Sequence, residues 1–140
     1  MARSKTTWKM LSYGVHSAWD KKSKELPKLK KFTWEIPARL DIEFGYVLNI
    51  KQARGKKLEF IIEHPDFIDE KTGEPAPPFT GELYVRSNDW DFFLGDTLWA
   101  PLETKIGTWC LVTKLDGEVI VQKRFTISED RGQFADWPID

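Results

Sequence analysis

Ile36-Pro37-Ala38-Arg39-Leu40-Asp41-Ile42-Glu43-Phe44-Gly45-Tyr46-Val47-Leu48-Asn49-Ile50-Lys51 alternates. Leu40, Ile42, Phe44, Tyr46, Leu48 and Ile50 are apolar or aromatic. Arg39, Asp41, Glu43, Asn49 and Lys51 between them are polar, with Gly45 and Val47 as exceptions. Side chains of an extended chain point to opposite faces in turn, so this pattern places the apolar set on one face of a strand. Each such side chain contributes roughly 1.5–3 kcal/mol when buried, an upper bound because the unfolded chain is not fully extended. A strand of this length bends, and Gly45 is the expected bulge or close-packing point. Pro37 fits its first edge, where no ladder donor is needed.

Further strand signals lie on both sides. Trp8–Ser17 sets Trp8 and Met10, then Tyr13 and Val15, on one face, with a phase slip at Leu11. Leu58, Phe60 and Ile62 alternate, as do Leu83 and Val85, and Trp90–Trp99 is aromatic-rich. Trp109–Leu115 and Val119–Ile127 flank Asp116-Gly117, a strong hairpin signal. Their expected inward sets are Trp109, Leu111 and Leu115, and Val119, Val121, Phe125 and Ile127. Lys123 interrupts the second set, which calls for a bulge or a snorkelling lysine. No segment shows a helical stripe, and Pro27 interrupts the lysine-rich stretch Trp19–Lys31. His64–Phe79, with four prolines, reads as a loop containing a turn at Asp69–Gly73. Short strands joined by turns point to an antiparallel sandwich or barrel. Residues 1–130 are expected to form one domain and 131–140 a tail pinned by Phe134 or Trp137.

Composition sets outer limits. The chain has 140 residues, 41% hydrophobic and 31% charged, as expected of one folded domain. No apolar run approaches the roughly 18–20 residues of a membrane span, and no apolar leader precedes the first strand. One cysteine, Cys110, excludes an internal disulfide and, with the missing leader, reads as cytoplasmic. The net charge of −1 argues against a protein built mainly to hold nucleic acid. That balance hides a gradient: Met1–Lys31 holds nine basic and two acidic residues, and Glu63–Glu103 two basic and ten acidic.

Three blocks resemble an uncharacterised bacterial family known as domain of unknown function 3859. They are Glu35–Tyr46, similar to its strand beginning Ile-Pro-Ala-Arg-Leu; His64–Gly73, similar to its proline-led loop ending in Thr-Gly; and Gly107-Thr108-Trp109 with Asp116-Gly117 and Arg124–Ile127, similar to its closing hairpin. Asp41 and Ile106 depart from its pattern. The resemblance implies a bacterial source and an immunoglobulin-like sandwich, and it carries over no catalytic residue. The expected fold is all-β, a single immunoglobulin-like antiparallel β-sandwich of about seven or eight strands.

No catalytic set emerges from the residue types. Cys110 sits mid-strand and reads as a buried, inert thiol. Glu63, His64, Asp66, Asp69 and Glu70 are close in sequence but match no calcium-loop spacing, so no metal and no other cofactor is expected. His16 reads as an ordinary strand histidine. Seven tryptophans are the remaining lead. Asn88-Asp89-Trp90-Asp91 is the expected ligand-binding segment, an indole for stacking among hydroxyl acceptors. The competing reading is that Trp90 enters the core behind turn residues. Lys28, Lys30 and Lys31 are the candidate anion-binding residues, against the plainer reading of Lys21–Lys31 as a solvated connection.

The expectation is a non-catalytic module for a protein or glycan partner, with self-association through sheet edges or an aromatic patch as one form of it. The alternatives are a hydrolase using carboxylates of the acidic 63–103 half, and a binder of anionic partners through the lysine run.

Overall fold

The computed structural model describes residues 5–17 and 26–135. Among these residues, nine strands form two sheets: β1 Thr7–His16, β2 Leu29–Phe32, β3 Glu35–Pro37, β4 Glu43–Lys51, β5 Lys57–Glu63, β6 Phe79–Tyr84, β7 Asp89–Thr97, β8 Gly107–Leu115 and β9 Glu118–Ser128. One sheet has the order β2-β1-β4-β7 and the other β3-β9-β8-β5-β6. All pairings are antiparallel except β3 with β9, which is parallel. The two additional short strands, β2 and β3, lie at sheet edges and carry little hydrophobic pattern of their own.

The alternating stretch is two strands rather than one. Pro37 ends β3 in the second sheet, Ala38–Ile42 crosses between layers, and β4 begins at Glu43 in the first. Asp41 turns the chain at φ 65°. Leu40 therefore lies outside the inward set and is exposed. From Ile42 onward the pattern holds: Phe44, Tyr46, Leu48 and Ile50 are fully buried. Across the core, the Phe44 ring meets Trp109 edge-on at 5.3 Å and Phe125 at 5.5 Å, tying the layers together.

The slip at Leu11 is a bulge: the β1–β4 register shifts between Met10 and Ser12. A second irregularity lies where β8 passes from Thr113 to Lys114, opposite Val121 and Val119. It leaves Val119 exposed, which removes Val119 from the expected inward set, while Ile120 and Val121 pack against the core. The Lys123 ammonium snorkels over the Tyr13 ring at 4.0 Å. Asp116 and Gly117 both have positive φ, 49° and 83°, which the tight β8–β9 hairpin requires. Beyond β9, Phe134 is buried, and Arg39 contacts both Asp130 and the Phe134 carbonyl. Trp137 lies outside the described residues.

Candidate functional site

Two loops meet at one end of the sandwich. The β5–β6 loop is held by a bridge between Ile68 and Pro75 and by the Gly73 amide donating to the Asp69 carbonyl at 2.8 Å. The β7–β8 connection contains a 3-10 turn, Leu102–Lys105. Between them is an open cleft of about 710 Å³, whose wall includes Phe67, Phe79, Trp99 and Lys105 beside Asp66, Asp69 and Glu70.

Aromatic packing fixes the floor. His64 lies 4.4 Å from Phe67 and 4.8 Å from Phe79, ring centre to ring centre, and the Trp99 ring stands edge-on to Phe67 at 5.7 Å. Trp109, buried beneath them, donates its indole N–H to the Lys105 carbonyl at 2.8 Å, which sets the turn. The Lys105 side chain folds back over the aromatics. Its ammonium is 4.3 Å from the Trp99 ring centre and 4.7 Å from that of Phe67, a cation–π arrangement. It donates to Thr104 Oγ1 at 2.9 Å and to the Pro101 carbonyl at 3.3 Å. Burial pushes the Lys105 amine below its usual value, with Glu70 and Glu103 opposing that shift.

The rim is acidic and wet. Asp66 and Glu70 are exposed, and Asp69 Oδ1 accepts from the Lys71 amide at 2.8 Å, capping its own turn. These carboxylates are good acceptors for hydroxyl or amino groups. Among the described residues, no group of three His, Cys, Asp or Glu side chains is placed to hold a metal ion.

Asn88–Asp91 lies at the other end of β7. Asn88 closes a turn: its carbonyl accepts from the Gln52 amide and its Oδ1 from the Arg54 amide. The Asn49 side-chain amide bridges Asp89 and Asp91 at 2.7 and 2.8 Å. The Trp90 ring is partly buried, packs against the core and stacks on Phe92 at 5.4 Å. The structure thus groups Asn88, Asp89 and Asp91 at one polar corner but turns the indole inward. Lys28, Lys30 and Lys31 are exposed on or beside the edge strand β2, which replaces part of the expected connecting loop. Cys110 is buried on the face opposite Trp109, with Gln122 at 3.5 Å from its sulfur.

Another polar cluster lies on the side of β4 away from Phe44. His16 pairs in register with Glu43, and Glu43 accepts from the Thr97 hydroxyl at 2.6 Å. His16 Nδ1 is 3.0 Å from the Gly14 carbonyl, which can only accept, so in the neutral ring Nε2 accepts from Ser12 Oγ at 3.2 Å. Burial lowers the His16 pKa from its ordinary 6.5, partly opposed by the bond to Gly14. Just below pH 6.5 the unfolded chain therefore holds more protons than the folded one, and stability falls as pH drops through that window. Thermal melts across the window should show this slope in the native protein and a flatter one in His16→Gln; equal slopes would contradict it.

Comparison with known proteins agrees with this architecture. The family model described as a domain of unknown function (DUF3859) matches residues 4–127. No curated protein matches the chain. A crystal structure of an immunoglobulin-like protein from Pseudomonas aeruginosa superposes with a TM-score of 0.67 at 18% identity, covering 91% of this chain and 100% of that one. At that identity the likeness is one of fold.

Proposed function

The chain belongs to the family described as a domain of unknown function (DUF3859), and on that premise we propose that it is a non-catalytic binding module whose ligand sits in the loop-end cleft. One observation carries this reading: an aromatic floor and an acceptor-rich rim converge there with a buried ammonium between them. Concave sites that pair apolar walls with a few placed polar groups are where ligands gain both burial and orientation. The ligand that suits it is a glycan or a peptide segment, with an apolar face for Phe79 and Ile68 and hydroxyl or amino groups for Asp66 and Glu70. Lys105 covers a face of Trp99, so the ligand meets the ring's remaining surface and not an open stacking platform. The single cysteine keeps the cytoplasmic reading as part of the proposal.

Calorimetry against glycan and peptide panels, followed by amide chemical-shift mapping, tests it. Shifts should gather on Asp66–Lys71 and Trp99–Lys105. Trp99→Ala should weaken the interaction about tenfold or more, as expected for truncating a central aromatic. Shifts gathered on Asn88–Asp91 instead would move the site to the far end of β7. Turnover of a panel member would replace the binding reading with the hydrolase one.

A further inference from the structure

We propose that strand β2 and Trp34, at the bend that follows it, form a docking edge for an anionic lipid bilayer. This surface is separate from the cleft and does not depend on it. All four residues of β2 are exposed: Leu29, Lys30, Lys31 and Phe32. Phe32 and Trp34 keep 55% and 53% of their surface in water, and Leu29 39%. The Tyr13 ring backs Phe32 at 4.2 Å, and the Lys123 ammonium lies over Tyr13. Lysines at a sheet edge have a plainer role, which is to keep other strands from pairing with it. That role accounts for Lys30 and Lys31 but not for two exposed aromatics beside them, which invite association.

Lysines interleaved with Leu, Phe and Trp are the chemistry of a membrane interface. The ammonium groups meet lipid phosphates while the rings settle at the boundary between headgroups and acyl chains. Leu29 adds nothing to base stacking, and there is no arginine among residues 28–34, which disfavours a nucleic acid.

Charge is distributed to suit this orientation. β2 is one edge of its sheet, and β7, with Asp89, Asp91 and Asp96, is the other. Three strand spacings separate the edges by about 14 Å, beyond the Debye length of about 8 Å in physiological salt. A bilayer at the β2 edge is therefore attracted by the lysines with little repulsion from β7.

Cosedimentation of the full chain with vesicles decides the matter. The chain should bind vesicles of phosphatidylcholine and phosphatidylglycerol in equal parts, release them as salt is added, and ignore phosphatidylcholine alone. The variant Lys28→Gln/Lys30→Gln/Lys31→Gln should bind about a hundredfold more weakly, at the usual contribution per surface lysine. Phe32→Ser/Trp34→Ser should also weaken binding, and Lys114→Gln, on the other sheet, should not. Quenching by brominated lipid should fall in Trp34→Phe, a readout that is independent of affinity. The proposal is overturned by equal binding to both vesicle types, by indifference to the lysine or aromatic variants, or by binding to single-stranded RNA without binding to vesicles.

Discussion

Gly45→Ala should destabilise the fold by roughly 3 kcal/mol or more, a large effect for one methyl group. A Cβ built at Gly45 would stand 2.1 Å from the Leu94 carbonyl oxygen and 2.6 Å from the Gly95 Cα. Both are backbone atoms of β7, so relief requires β4 and β7 to separate. Gly14, Gly45 and Gly95 are register partners across β1, β4 and β7, forming a row without side chains on the sheet. A Cβ at Gly95 would likewise meet the Phe93 ring at 2.5 Å. Gly45 and Gly95 thus let β4, β7 and the Phe93 ring approach closely. Gly55→Ala is the control: no atom lies within 4 Å of its added Cβ, and its positive φ alone should cost about 1 kcal/mol. Denaturant titration of both variants gives the comparison. Losses of similar size would mean that β4 and β7 are not packed as closely as described.

Gly45 also marks how far the sequence carries. Its place in an alternating run identified a close-packing point, because only a backbone approach or a bulge accounts for a glycine among buried aromatics. Leu11 was legible in the same way, since one extra residue inverts the phase of a two-residue period. Leu40 was misread because it continues the alternation of Ile42 while lying on the other side of the crossover at Asp41. A periodic pattern records which side chain points inward, but not the sheet to which it belongs. β2 was missed as a strand for a related reason. An exposed edge buries neither face, so Leu29–Phe32 has no hydrophobic phase to display.

The cleft was less legible than the fold. Its parts are Phe67 from the β5–β6 loop with Phe79 at the start of β6, and Trp99 and Lys105 from the β7–β8 connection, some thirty residues further along the chain. No local motif joins them; the β5–β8 pairing brings the loops to the same end. Lys105 gave no signal at all. Exposed and buried lysines look alike in sequence, and its burial follows from a 3-10 turn that depends on an indole four residues later. Trp109 was expected in the core and is there, but its role in shaping the cleft becomes visible only through that hydrogen bond.

That double role makes Trp109 the residue whose loss should affect both stability and binding. Its ring is fully buried, meets Phe44 in the core and faces His64 at 5.7 Å and Trp99 at 6.4 Å under the cleft. Trp109→Ala should destabilise by about 3–5 kcal/mol, the range for emptying a large aromatic site. Trp109→Phe restores much of the volume but leaves the Lys105 carbonyl without its donor, at a cost of about 1–3 kcal/mol. The milder variant is the informative one. With its carbonyl released, Lys105 can turn away from Trp99 and Phe67, so cleft affinity should fall together with stability. Trp99→Ala, at a half-buried position, should reduce affinity at a smaller cost in stability. Denaturation and calorimetry on the same three variants separate these effects. If Trp109→Phe is destabilised yet binds its ligand as the native protein does, the indole serves the core alone and the Lys105 turn is held by something other than that bond.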